Sequence, residues 1–510
     1  MINRLKQKLS SADTFSLINE SIYQLNFTKI LEDNLGLTSP TKQILYLISL
    51  LFSTNEILPS QKVSLSSFVS TLNNISNEYN ASFYKDGANS SDTEKENSNV
   101  AFPVFLHYFN TSSLYYEPQK LQILSKLYFP FDHFFENLFG YTATDLINFA
   151  EFVQQTIHLR VQRLNLIQKK LNSQVDLTHS FNTEDFPLEK RLIFTKMLND
   201  FSLKREVTDF EYYATVLPIE ERPFLNISGI FYLPLIKLLF DAIERKLNKA
   251  ILSSDIRDSF FRNKEKKIVE ILSVQLRFFF GKKGKVFTSG YESITGQDEH
   301  DIIIFARQSI IILLEVKVTK QREPFRNPEK AFVRIKDDFR RDSGPQGAFE
   351  QTLKLKRRIK KEGSVPIFDK KGNLLITLTN KFEIFSLLIT LEDLGILAVN
   401  LSLLLEKPKE ENFPFCTNIY TLNTILKFMT IKYGTQRVDQ FLKYLRVREN
   451  IHAKARVTDE LEILGYLHAN QENLEELLDD NLDLFFMHPQ MTDIFDEMYI
   501  ENKSIFNFSE

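Results

Sequence analysis

An α/β core set within a largely helical chain is the fold class this sequence predicts, on three observations. Residues 301–305 and 310–318 are two apolar, β-branched runs separated by a break of four residues, Ala306 to Ser309, short enough to make them a β-hairpin. Helical periodicity flanks them, at 121–139, 143–170 and 257–280 upstream and at 420–433 and 438–448 downstream. The length of 510 residues gives a soft prior of about three domains.

The hairpin carries charge where strands are normally dry. Asp301 opens the first run, and Glu315 and Lys317 interrupt the second near its end. Burying unpartnered charge costs several kcal/mol, so such residues persist where a metal or a reaction needs them. A three-residue loop at Arg307 to Ser309 sets Asp301 directly across from Glu315, whereas a two-residue loop shifts the pairing by one. Side chains at i and i+2 share a face, so Glu315 and Lys317 point the same way. Two carboxylates near an ammonium suit Mg²⁺, which commonly takes one or two carboxylates and keeps several waters.

The two neighbouring helices add candidates. In 257–280 the stripe Phe261, Ile268, Leu272 and Leu276 takes in Glu265, while Glu270 falls on the opposite face. Ala348, Thr352, Leu355 and Ile359 mark a later stripe, with Gln351 beside it and Gln346 as its competitor. Lys354, Arg357, Arg358, Lys360 and Lys361 form that helix's outer face.

A helix glutamate, a strand aspartate and then Glu-Val-Lys on the next strand resemble the PD-(D/E)XK nuclease superfamily, in its nuclease-related (NERD-like) or Holliday-resolvase-like flavour. The matching positions are Glu265, Asp301, Glu315 and Lys317, with Gln351 as helper. They cover residues 256 to 400, in the order helix, strand, hairpin, strand, basic helix. No proline precedes Asp301, where Glu299 and His300 stand instead. The resemblance implies a restriction-endonuclease-like mixed sheet flanked by helices. It implies Mg²⁺ or Mn²⁺ held by Asp301, Glu315 and the Val316 carbonyl, with Glu265 completing the site or binding a second ion. Lys317 would position the water, and the reaction would be endonucleolytic hydrolysis of a DNA phosphodiester in defence or DNA processing. Two other classes compete: a catalytically inactive nuclease-fold module that binds nucleic acid, and a helical scaffold protein.

Charge is unevenly spread although the net is only −3. Residues 261–290 hold eight Lys or Arg against two acids, and 331–362 hold ten against five. That field nominates Lys282, Lys283, Arg340, Arg341, Lys354, Arg357 and Arg358 as nucleic-acid contacts, because phosphate binding needs cations. After Val457 the balance reverses to fourteen acids and one lysine.

These shifts divide the chain into an all-helical region 1–250 of unknown role, a nuclease-like domain with helical extension at 256–457, and an acidic helical segment at 458–510. The first region contains a polar stretch at 84–99 expected to be disordered; its sequence does not choose between recognising substrate, binding a protein partner and sensing a signal. Thr142 to Asp145 reads as a capped helix start. A single cysteine, Cys416, fits a reducing cytoplasm and excludes an internal disulfide and cysteine-based zinc sites. The start is polar and basic without a leader-like core. The greasiest stretch, 384–405, is cut by Glu392 and Asp393 and reads as buried strand and helix, with no membrane involved. No P-loop, serine nucleophile elbow or Cys-His pair is present, and the eight histidines form no pair at metal-binding helical spacing.

Overall fold

The computed structural model describes residues 1–27, 35–57, 61–84, 90–110, 115–167, 178–208, 210, 212–214, 216–318, 326–452, 454–457, 459–470, 485–486, 489–502 and 505–508. It is a mixed α/β structure: among the described residues, sheets of four and seven strands are flanked by helices, and a two-stranded parallel sheet pairs Ala455–Arg456 with Phe485–Phe486. Among the described residues no helix is long and apolar enough to cross a membrane.

The region before residue 250 is not all helical. Four short strands, β1 (Ser180–Phe181), β2 (Ser202–Lys204), β3 (Phe224–Ile227) and β4 (Ile230–Tyr232), form a sheet in the order β1-β4-β3-β2. Strands of two to four residues are too short to leave a period-2 signature, so their helical surroundings mask them. One local signal was available: β3 and β4 are joined by Ser228 and Gly229, both at positive φ (51° and 87°), and Ser-Gly is a hairpin dipeptide.

The polar stretch at 84–99 also departs from expectation, although 85–89 lies outside the described residues. Asp92–Glu96 is helical behind a capping box in which the Ser91 hydroxyl accepts from Glu94 N and the Glu94 carboxylate accepts from Ser91 N. Reciprocal capping satisfies free amides without apolar residues. The Thr142–Asp145 start is realised in the same way, with Asp145 N donating to Thr142 Oγ1 and Thr142 N to the Asp145 carboxylate, ahead of the helix Ala143–Ile167.

The larger sheet runs β11-β10-β7-β6-β5-β8-β9, comprising β5 (Gly284–Tyr291), β6 (Glu299–Ala306), β7 (Ile310–Lys317), β8 (Ser364–Phe368), β9 (Leu374–Thr379), β10 (Glu383–Thr390) and β11 (Phe415–Asn418). Strands β5, β6 and β7 are antiparallel neighbours, whereas β10 is parallel to both β7 and β11. Two helices, Pro328–Arg340 and Pro345–Glu362, and the β8–β9 hairpin separate β7 from β10 in sequence, a crossover of the kind that parallel strands require. The β6–β7 loop is the three-residue version, Arg307–Ser309, and pairs Ala306 with Ile310. Arg307 and Gln308 adopt positive φ of 51° and 63°, and the Arg307 guanidinium is anchored on Asp439 from the helix Arg437–Ile451.

Both faces of the hairpin are covered, which explains its near-continuous apolar sequence. Ile302, Ile304, Ile312 and Leu314 join Ile268, Leu272 and Leu276 of the helix Arg257–Phe280 in the main core. Ile303, Ile311 and Leu313 pack with Leu355 and Ile359 of the helix Pro345–Glu362. A separate core joins the N-terminal helices, from Leu5 to Phe109, to Ala331, Ile335, Leu388 and Cys416.

Candidate active site

The Glu315–Lys317 end of β7 gathers the charged residues. The β6–β7 ladder is regular up to the Ile302–Leu314 pair, and continuing that register sets Asp301 opposite Glu315. There the ladder gives way to side chains. Val316 N donates to Asp301 Oδ2 at 2.8 Å, in place of a carbonyl of β6. The β5–β6 ladder breaks at the same level: Thr288 pairs with Ile302 and Gly290 with His300, while Ser289 between them has φ 52°. A left-handed non-glycine residue in a strand stores backbone strain, and such outliers cluster at functional sites.

Lys317 Nζ donates to Gln351 Oε1 at 3.1 Å, which brings the helix Pro345–Glu362 to the site on the face it covers. Gln346, the competitor, is spent elsewhere: it binds the Glu406 backbone in both directions. Glu265 is half-buried and feels the charges of Lys317, Glu315 and Glu299. The stripe that carries it needs correction. Phe261 is 38% exposed, and the buried line is Phe260, Lys264 and Ile268, so Glu265 flanks the core face. Glu270 is exposed, as its opposite phase requires.

The electrostatics follow from crowding acids in a dry place. Burial, and then the charge of Glu315, push the Asp301 carboxyl up to about 7, against the hydrogen bond from Val316. Burial likewise raises Glu265. Glu315 is only 1% exposed and would be prohibitive alone, but its Oε1 lies 2.8 Å from His300 Nδ1. The other ring nitrogen of His300 is 3.0 Å from Glu292 Oε1, and Glu292 Oε2 accepts from Arg358 Nη1 at 3.0 Å. Burial disfavours charge on His300, yet its hydrogen bonds to Glu292 and Glu315 outweigh this and raise it to about 9.

The donor set fits a hard cation. Hydrogen bonds within the protein take Asp301 Oδ2 and Glu315 Oε1, which leaves Asp301 Oδ1 and Glu315 Oε2. In an extended strand the N–H and C=O of one residue point to the same side. Val316 N faces Asp301, so the Val316 carbonyl does too, while the next carbonyl, Lys317 O, turns the other way to accept from Leu391 N beyond the end of β10. Among the described residues no group of three His, Cys, Asp or Glu forms a metal cage by itself. A site of two carboxylates, one carbonyl and water has no such group.

No protein-family model, curated protein or solved structure matches this chain. The assignment of chemistry therefore rests on the residues.

The basic residues distribute differently from expectation. Lys282 and Lys283 stand at the far end of the hairpin, where Lys283 O accepts from Arg307 N. That end is five residues, about 16 Å, from Asp301. Lys283 is also tied to Asp439. Arg340 pairs with Glu406, Arg341 with Asp338 and Lys354 with Asp298. Arg358 is turned inward to Glu292, with Glu362 as a second partner. Lys282 and Arg357 are exposed. Asp298, the partner of Lys354, has φ 52°.

Glu292 was not legible as a site residue, Arg358 was read as a nucleic-acid contact and not as a partner of Glu292, and His300 was visible only as a neighbour of Asp301. The signal that finds them is register. Tyr291 pairs with Glu299, so a β5 strand placed on β6 brings Glu292, one residue further, to the charged end of the hairpin.

Proposed function

We propose that this chain is a metal-dependent nuclease of the PD-(D/E)XK type that hydrolyses phosphodiester bonds in DNA. The carrying observation is the meeting of Asp301, Glu315, Lys317 and Gln351 at one end of the β6–β7 hairpin. The order of helix, β5, the β6–β7 hairpin, two helices, the β8–β9 hairpin and then β10 parallel to β7 supports the restriction-endonuclease-like reading of the sheet.

In this reading the Asp301 and Glu315 carboxylates and the Val316 carbonyl would hold Mg²⁺ or Mn²⁺. When bound, the cation neutralises charge on the scissile phosphate and acidifies water at the site. Lys317, steadied by Gln351, presents its ammonium to the attacking water and to the phosphoryl oxygens, whose charge grows in the transition state. Glu265 closes the site from the helix and accepts hydrogen bonds from ordered water. Water adds to phosphorus, the P–O bond to the leaving strand end breaks, and a proton replaces it there.

The test is incubation of supercoiled plasmid and of a branched junction with Mg²⁺ or Mn²⁺, with an EDTA control. Nicking or resolution that EDTA abolishes is expected. Binding without cutting would transfer the reading to the inactive nucleic-acid-binding module, and neither binding nor cutting would end both.

A pH dependence follows. A carboxyl raised to about 7 must lose its proton before it ligates a cation, so proton and metal compete. The half-saturating Mn²⁺ concentration should fall roughly tenfold per unit as pH rises toward 7 and level off above it. The sign for the metal-free fold is opposite. Because the folded value lies above the ordinary one near 4, the folded state holds the extra proton, and this group's contribution is lost as pH rises from about 4 through 7. Mn²⁺ should therefore raise the melting temperature more at pH 8 than at pH 5.5. A metal requirement independent of pH over that window would remove Asp301 from the ligand set.

A further inference from the structure

We infer that the chain Arg358–Glu292–His300–Glu315 is a positioning device that fixes the Glu315 carboxylate for metal, with His300 as its central residue. The inference rests on the nuclease reading above and deepens it at the same site.

The argument is geometric. Both ring nitrogens of His300 face carboxylate oxygens, Glu315 Oε1 at 2.8 Å and Glu292 Oε1 at 3.0 Å. The ring therefore bridges the two carboxylates, with one nitrogen against each. Glu292 is in turn held by Arg358 at 3.0 Å. The side chains of His300, Glu292 and Glu315 are 3%, 2% and 2% exposed, whereas Arg358 at 36% reaches the surface. The chain thus runs unbroken from Arg358 near the surface to Oε1 of the buried Glu315.

Two features argue that this arrangement serves the site and not the fold alone. The chain lies at the point where the β5–β6 and β6–β7 ladders both stop being regular, so the side chains replace main-chain pairing. It also engages one oxygen of Glu315 and spares the other, the division a monodentate metal ligand needs. Partners behind a metal ligand are commonly worth 10–100-fold in metal affinity. Arg358 is accordingly a positioning residue and not a phosphate contact.

The experiment measures the Mn²⁺ concentration that half-saturates plasmid nicking, together with Mn²⁺ binding alone by electron paramagnetic resonance. Wild type is compared with His300→Gln, Glu292→Gln and Arg358→Ala. His300→Gln should raise the half-saturating concentration 10–100-fold, with much of kcat recovered at saturating metal. Glu292→Gln and Arg358→Ala should shift it the same way by less, and Arg358→Ala, being near the surface, keeps the fold. A structural role alone would lower the melting temperature and leave the half-saturating concentration of the remaining folded enzyme unchanged, which would overturn the inference. Wild type that cuts in an Asp301-dependent manner while all three variants keep its metal requirement would sink the positioning chain alone. Wild type without metal-dependent cutting would sink the nuclease reading, and the inference with it.

Discussion

Asp301→Asn should abolish metal-dependent cleavage while leaving the metal-free protein at least as stable as wild type. The two halves of this result come from one cause. Asparagine keeps the shape and can still accept the Val316 N–H through its oxygen, so the hydrogen bond at 2.8 Å survives. What it removes is a charge that burial and Glu315 make unfavourable, since they hold the carboxyl up to about 7. At pH 8 the wild-type fold carries that charge unrelieved and the variant does not. On the nuclease reading catalysis depends on the same charge: a bound cation would contribute several kcal/mol of transition-state stabilisation, or roughly three to four orders of magnitude in rate. Lys317→Ala should cost roughly two to three orders, the size of one lost electrostatic donor. Gln351→Ala, which only releases Lys317 Nζ, should cost less. A destabilised Asp301→Asn with unchanged nicking per folded molecule would reverse the assignment, because Asp301 would then be a structural strand residue.

The hairpin and its site were legible because apolar runs, a short break and misplaced charges are all local in sequence. The loop length alone set Asp301 against Glu315, and the structure has that three-residue loop. The helix bounds at Arg257–Phe280 were within reach of periodicity, whereas Gln351 as a helper came from the resemblance to nucleases, and its hydrogen bond to Lys317 is seen only in the structure. What escaped has a common physical reason. The four short strands β1–β4 and the β8–β9 hairpin depend on tertiary pairing more than on local pattern. The phase of Phe260 against Phe261 could not be chosen from two adjacent aromatics, and the core selected Phe260. Arg358 reads as a wet helix face in sequence, but its partner Glu292 follows the end of β5, 66 residues away. A basic residue's role is set by the nearest carboxylate, which a linear charge count does not see.

The acidic C-terminal segment is the clearest case of that rule, and the second large effect lies there. Glu460 begins the helix Glu460–Ala469, whose first turn is capped by Asp459 through Leu461 N at 2.8 Å. Glu460 is 4% exposed and Arg448, on the helix Arg437–Ile451, is fully buried. The two meet in a bidentate pair, Nε to Oε1 at 2.6 Å and Nη2 to Oε2 at 3.0 Å, with Nη2 also reaching Val399 O and the Tyr444 hydroxyl donating to the same carboxylate. The segment is acidic in composition, yet this acid is a buried anchor. Arg448→Ala strands the Glu460 carboxylate among apolar neighbours, and breaking a buried pair from one side costs about 3–5 kcal/mol. The variant should melt well below wild type and become sensitive to protease after Val457, because the helix loses its tie to the core. Arg448→Met combined with Glu460→Leu removes both charges and their desolvation, so it should recover most of the loss. If the single variant melts with wild type, or the double variant is worse than the single, the pair is not what docks this helix. Nicking per folded molecule should be unchanged in the double variant, since neither residue contacts Asp301, Glu315 or Lys317.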